Sequence, residues 1–421
     1  MFNIFDYRKG SRFRQNFIKV AFANLLAQGM PIIAAPLVTR LYSPSDFGTF
    51  ALFSSILVIL SSVATLRVDW SIPNASSRQQ AMVLLLGGGG ILLLFSISIA
   101  LLVWAYGNKL LEHYDLEVLL PFLLWLPLAI LGMGLHQLLQ GWHVREANLS
   151  PISRSNINKS IFMTLSQIGL GLINTGTLGL ILSLLGASWV SVMSLLRHTL
   201  NMFTLIGRCT YLRFMSTMRS FFSQSLQSTG VALINTINLS MLPILLIVYY
   251  SPTEVGWLAL MQRLALAPLG VFTAALAQSF WAEAADQLKK DPAGLRRLYI
   301  QSTKKLVYIS LLPVFLCALG PYYVGLILGS EWDQAGWVLI SLIPMLFGQV
   351  VVSPLSHLVV HRKQHWQLCL DIMRFVATVA SVMLLAAKGI GFIPLLVFVS
   401  IINLGFYGVI FYLNLKAYKI D

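Results

Sequence analysis

Apolar residues in this chain gather in long runs, not in the alternation of a half-buried strand or the stripe of a surface helix. Twelve runs approach or exceed the roughly 20 apolar residues that a membrane helix needs. They fall at about 17–41, 47–66, 81–106, 117–140, 158–176, 178–200, 226–250, 255–280, 304–329, 336–360, 366–388 and 391–415. Only the short stretch "INTGTLG" (Ile173–Gly179) divides the fifth from the sixth. Lipid offers no partner to backbone N–H and C=O, so each run is predicted to be a helix. The ten-residue alternation of a membrane β-barrel is absent from the sequence. The predicted fold class is all-α: a polytopic membrane protein with twelve transmembrane helices.

The pattern repeats. "YSPSDFGTFAL" (Tyr42–Leu52) and "YSPTEVGWLAL" (Tyr250–Leu260) align without a gap, 208 residues apart. Each lies in the short turn between the first and second helix of a half. Pro44 and Pro252 stop the incoming helix. Asp46 and Glu254 sit at the start of the outgoing one, where the helix dipole favours an acid. Gly48 and Gly256 allow close backbone approach. Six helices per half put both halves in the same orientation, a parallel repeat. Two six-helix lobes are expected: residues 1–222 with helices one to six, and residues 223–421 with helices seven to twelve. The two turns should lie on the same membrane face.

Composition supports this class. The chain is 57% hydrophobic and 10% charged, with a mean hydropathy of +0.77. Soluble domains carry about 25% charged residues. The net charge of +14 does not require a nucleic-acid partner, because 24 of the 29 Lys and Arg residues fall in the tails and alternate loops on one side. That bias puts both termini in the cytoplasm. Cys209, Cys317 and Cys369 are too scattered for a disulfide framework or a metal site. The first apolar run is too long for a cleavable signal peptide. No loop is long enough to fold as a catalytic domain. No phosphate-loop, HExxH or GxSxG motif occurs. The glycines of "LLLGGGGILLL" (Leu84–Leu94) read as small residues at a helix contact. A carrier without cofactor or metal is expected, not an enzyme.

Polar groups inside spans are the candidate site, because a charge there costs about 2.5–3.5 kcal/mol even on the lenient insertion scale. Arg263 lies in the eighth span, with no acid three or four residues away on its own helix. Arg374 lies in the eleventh, with Asp371 one turn before it. Asn24 and Gln28 share a face of the first span, and Asn235 and Asn238 share one of the seventh, its repeat counterpart. Gln262 is in the eighth. His136, His357, His361 and His365 lie near inner helix ends, where they could titrate.

"RLYSPSDFGTFALFSSILVILSSVATLRVDWSIPNA" (Arg40–Ala75) resembles the start of O-antigen flippases of the Wzx type. These belong to the superfamily of multidrug and toxic-compound extruders (MATE) and oligosaccharidyl-lipid exporters. In "LRVDWSIPNA", Arg67 and Asp69 match a basic and an acidic position of that family's motif, although Pro73 comes early. The resemblance implies a MATE-like, V-shaped bundle working by alternating access in the bacterial inner membrane. It implies transport of undecaprenyl-pyrophosphate-linked oligosaccharide, driven by an ion gradient, expected to be protons. Arg67, Arg263 and Arg374 would suit the pyrophosphate, and the Asn and Gln residues the sugar. Asp371, His357 and His361 would serve coupling. Membrane lipids, an O-antigen polymerase and a chain-length regulator are the partners implied. The rival readings are a multidrug exporter of the same superfamily, which needs buried acids scarce here, and a membrane glycosyltransferase, which needs a large outer loop.

Overall fold

The computed structural model describes residue 23 and residues 25–112, 119–199, 211–290, 292–355 and 357–417. Among the described residues each of the twelve apolar runs is mainly helical, and no strand occurs. After a helical stretch at 25–33 come α1 (Ala35–Leu41), α2 (Pro44–Val63), a short α3 (Val68–Ser71) with a 3₁₀ turn at Ile72–Asn74, and α4 (Arg78–Glu112). Then follow α5 (Leu120–Leu123), α6 (Leu126–Arg145), α7 (Ser150–Leu172), α8 (Thr177–Leu196) and α9 (Tyr211–Ile247). The chain ends with α10 (Pro252–Lys290), α11 (Pro292–Ala318), α12 (Gly320–Leu328), α13 (Ala335–Val352), α14 (His357–Ala387) and α15 (Phe392–Ala417). Eight helices among the described residues are long and apolar enough to cross a membrane, and the bent pair α11–α12 makes a ninth.

The sequence places long loops at Asn201–Gln224 and Trp281–Gln301. The structure extends α9 and α10 into them, to Tyr211 and Lys290, and starts α11 at Pro292. Hydropathy marks only the apolar part of a helix, so charged helical extensions read as loop.

Two compact units form. The first comprises 1–41 and 52–240, the second 42–51 and 241–421. Within the first, α6 packs against α4 and α8, and α7 pairs with α8. Within the second, α13 packs against α11 and α15, and α14 pairs with α15. Counting helices within each half, these are the same pairings.

Helix α7 shows what solvent the fold is built for. Its buried residues include Ser153, Ser155, Ser160, Thr164 and Gln167, whereas Leu165 and Leu172 are exposed. The Ser155 hydroxyl donates to the Ser191 carbonyl at 3.0 Å, and Ser160 to that of Ala27 at 2.6 Å. Polar side chains turned inward and leucines turned outward are sensible only where the surroundings are hydrocarbon. The chain is a multi-pass membrane protein.

Candidate functional site

The twin turns come first, because they set the start of α2 and α10. Ser43 caps α2: its N–H and hydroxyl donate to the Asp46 carboxylate at 3.0 and 2.8 Å, and the Asp46 N–H donates back to the hydroxyl at 3.2 Å. Ser251 and Glu254 repeat this at 3.0, 2.9 and 3.3 Å. Both are capping boxes with proline in the first helical position, which has no N–H to leave unsatisfied. The turns meet inside the second unit. A methyl group on Gly48 would overlap the Pro252 carbonyl oxygen, and one on Gly256 would overlap that of Pro44. Phe47 also stands edge-on to the buried Trp332, with centroids 5.2 Å apart. The sequence motif therefore builds a reciprocal contact between its two copies.

In the second unit Arg374 (α14) is buried, 9% exposed. Its guanidinium lies 3.2 Å from the Asp371 carboxylate, donates to the Tyr407 hydroxyl at 3.2 Å, and sits 5.5 Å from that ring's centroid. Tyr407 (α15) packs on Gly348 (α13), where any side chain would collide with the ring. The Asp371–Arg374 pair was legible from its spacing. Tyr407 was not, because nothing local distinguishes it from other aromatics of an apolar helix.

Arg263 (α10) has a different environment. It is partly buried, and among the described residues it has neither an ion pair nor a hydrogen bond. Gln262 beside it is partly buried too, as is Asn238 of α9, while Asn235 is exposed. Gln28 is exposed in the first unit, and Asn24 lies outside the described residues. His357 and His361 open α14, with side chains outside the described residues.

In the first unit Arg67 lies at the tight turn between α2 and α3. Leu66 and Arg67 both adopt left-handed backbone, with φ of 46° and 56°. The Arg67 guanidinium stacks 4.4 Å from the centroid of Trp70. Its Nε is buried without a hydrogen-bond partner. Asp69 is buried and accepts a bond from the Thr65 hydroxyl at 2.7 Å. Burial pulls the Arg67 pKa down, with the Asp69 charge working against it. Burial likewise pushes the Asp69 carboxyl up, opposed by the Thr65 bond and by Arg67. Close by, Arg78 and Arg145 share Glu146. Half of the glycine run is a packing surface: Gly88 faces Leu138 and Val68 and Gly87 faces Met218, whereas a methyl group on Gly89 or Gly90 would meet nothing within 4 Å among the described residues.

Similarity to known proteins agrees with this architecture. The chain matches a MATE-family multidrug transporter of the MOP superfamily in its inward-facing conformation, with TM-score 0.70 at 14% identity over 95% of each chain. It matches the lipid II flippase MurJ in an inward closed conformation, with TM-score 0.72 at 12% identity over 96% of this chain and 87% of that one. The eukaryotic MATE transporter AtDTX14 gives TM-score 0.60 at 17% identity, over 97% and 98%. At such identities the likeness defines the fold, which is that of MATE transporters and MurJ. No curated protein matches the chain in sequence. The family itself is defined by sequence: residues 37–336 match the model described as "Polysaccharide biosynthesis protein", and the chain belongs to that family.

Proposed function

We propose that this protein is a flippase that moves undecaprenyl-pyrophosphate-linked oligosaccharide of the O-antigen type across the bacterial inner membrane. Family membership supplies the polysaccharide context. The fold shared with a lipid II flippase supplies the type of carrier. The observation that carries the reading is Arg263, a cation in a membrane helix with no carboxylate partner among the described residues. Such a charge is stabilised by water or by an anionic ligand, and a pyrophosphate fits the guanidinium fork. A multidrug exporter that binds cations is less well supported, since Asp371 is already paired with Arg374. A glycosyltransferase is less well supported too, for want of a loop that could hold its catalytic groups.

In this reading two lobes, 1–222 and 223–421, alternate access to a path between them, with both termini cytoplasmic. Arg67, Arg263 and Arg374 take the pyrophosphate in turn, and Asn24, Gln28, Asn235, Asn238 and Gln262 take the sugar. Coupling is to protons. Protonation of Asp371 frees Arg374 for the ligand, with Tyr407 holding the guanidinium during the exchange, and His357 and His361 are further candidates. A polymerase and a chain-length regulator would receive the product.

The test is transport by purified protein in proteoliposomes. A short-chain prenyl-pyrophosphate oligosaccharide should become accessible to an externally added lectin at a rate that depends on the protein. An organic cation loaded into the same vesicles should not be moved. The reverse pattern would replace the flippase with a cation exporter.

A further inference from the structure

We propose that the cleft between α11 and α13, together with the basic residues that precede it on α11, binds an anionic phospholipid such as phosphatidylglycerol. The phosphodiester sits at the basic residues, and one acyl chain fills the cleft. The site serves a resident lipid and not the transported one, so it stands apart from the flippase reading.

The cleft lies where two bent helices part. Pro313 is inside α11 and Pro344 inside α13. A proline within a helix removes one backbone bond and bends the axis. Past Ala318 the chain turns by a further 66° into α12. Between α11 and α13 a cleft of about 250 Å³ remains. Pro313, Val314 and Cys317 line it from α11, and Ile343, Phe347 and Val350 from α13. The one hydroxyl in the wall, that of Ser310, donates to the Val307 carbonyl at 2.7 Å. A water molecule needs several hydrogen-bond partners, and this lining has none to spare. Left empty, the cleft forfeits dispersion contacts with every side chain around it. Leu311, Leu312 and Phe315 are exposed on the same stretch of α11, so the surroundings that can fill it are lipid.

One helix face selects the headgroup. From those aliphatic residues back towards the start of α11, the exposed positions become Tyr308, then Lys305 and Lys304, then Arg297. At 1.5 Å per residue, Lys304 lies about 9 Å along the axis from Ser310 and about 20 Å from Cys317. With the lysines at the headgroups, the cleft therefore spans the acyl depth of one leaflet of a core about 30 Å thick. Tyr308 stands between the two, at the interface where aromatic side chains are favoured.

A second helix adds to the charge. Asn414 of α15 donates to the Tyr299 hydroxyl at 3.2 Å, and Phe411 stacks on the Tyr299 ring with centroids 5.7 Å apart. These contacts bring the exposed Tyr412 and Lys416 to the same end of α11. Among the described residues Arg297, Lys304, Lys305 and Lys416 make neither an ion pair nor a hydrogen bond, and Glu283 of the neighbouring α10 pairs with none of them. An excess of cations at headgroup depth favours a net anionic lipid over a zwitterionic one.

The test is photo-crosslinking of the full-length protein in detergent micelles. The probes are phosphatidylglycerol and phosphatidylcholine, each with a diazirine on its acyl chain, and labelled peptides are mapped by mass spectrometry. Phosphatidylglycerol should label residues 310–317 and 343–350 about tenfold or more above phosphatidylcholine, the scale of two surface lysines. Lys304→Gln with Lys305→Gln should bring its yield down to that of phosphatidylcholine, whose own labelling stays unchanged and reports an intact fold. Lys304→Arg with Lys305→Arg should keep the excess. Equal labelling of wild type by the two probes would overturn the headgroup assignment, and so would an excess that survives the paired Gln variant. Labelling confined to Leu311, Leu312 and Phe315 would overturn the cleft. If an unlabelled short-chain prenyl pyrophosphate displaces the probe more readily than unlabelled phosphatidylglycerol does, the site belongs to the transported lipid; the proposal then fails and the flippase reading stands.

Discussion

Arg374 and Arg263 are both arginines inside membrane helices of the second unit, and the fold treats them differently. Arg374 has a carboxylate, a phenol hydroxyl and a ring around it, and is nearly sealed. Arg263 has none of these among the described residues. A satisfied charge can support the structure by itself. An unsatisfied one lowers stability, and it persists for what it does to a ligand. The same residue type therefore predicts opposite responses to substitution.

The largest stability effect should come from Arg374→Ala. It leaves the half-buried Asp371 without its guanidinium, and thermal unfolding in detergent should show a loss of about 3 kcal/mol. Replacing both residues, as Asp371→Leu with Arg374→Met, should restore much of that loss, because a well-packed apolar pair is often neutral or better. If the double variant is no more stable than the single one, Arg374 contributes packing and not charge balance. Tyr407→Phe should cost less, about 1.5–3 kcal/mol for one bond to a charged group. The ring that fills the space over Gly348 is kept in that variant. Arg263→Met should have the smallest effect, within about 0.5 kcal/mol or slightly stabilising, since no ion pair or hydrogen bond among the described residues is lost and Met keeps much of the stem's packing. A loss as large as that of Arg374→Ala would erase the distinction between the two arginines.

Much of this was legible in the sequence for identifiable reasons. The spans follow from length and apolarity. The capping boxes follow from Ser-Pro-x-Asp and Ser-Pro-x-Glu, and the close crossing from Gly48 and Gly256, because all of these are local rules. The Asp371–Arg374 pair follows from helical spacing. Tyr407 reaches Arg374 from another helix, 33 residues away in sequence, and no local rule selects it. The left-handed turn at Leu66 and Arg67 was hidden because neither residue prefers that conformation. Lys159 lies within α7, among serines and asparagines that lower the apparent hydropathy of that helix.

The twin turns offer a sharper use of the same logic at another place. Gly256→Ala puts a methyl group into the Pro44 carbonyl. It should reduce transport and shift the unfolding midpoint together, whereas Arg263→Met should reduce transport alone. Parallel losses in both variants would mean that Arg263 acts through structure.

The most direct measurement is transport of a short-chain prenyl-pyrophosphate oligosaccharide in proteoliposomes by wild type, Arg263→Lys and Arg263→Met, at matched reconstitution and with unfolding midpoints recorded. The rate should fall about tenfold or more in Arg263→Met and less in Arg263→Lys, with midpoints unchanged. Wild-type transport by Arg263→Met would contradict the claim that this unpartnered cation receives the anionic headgroup.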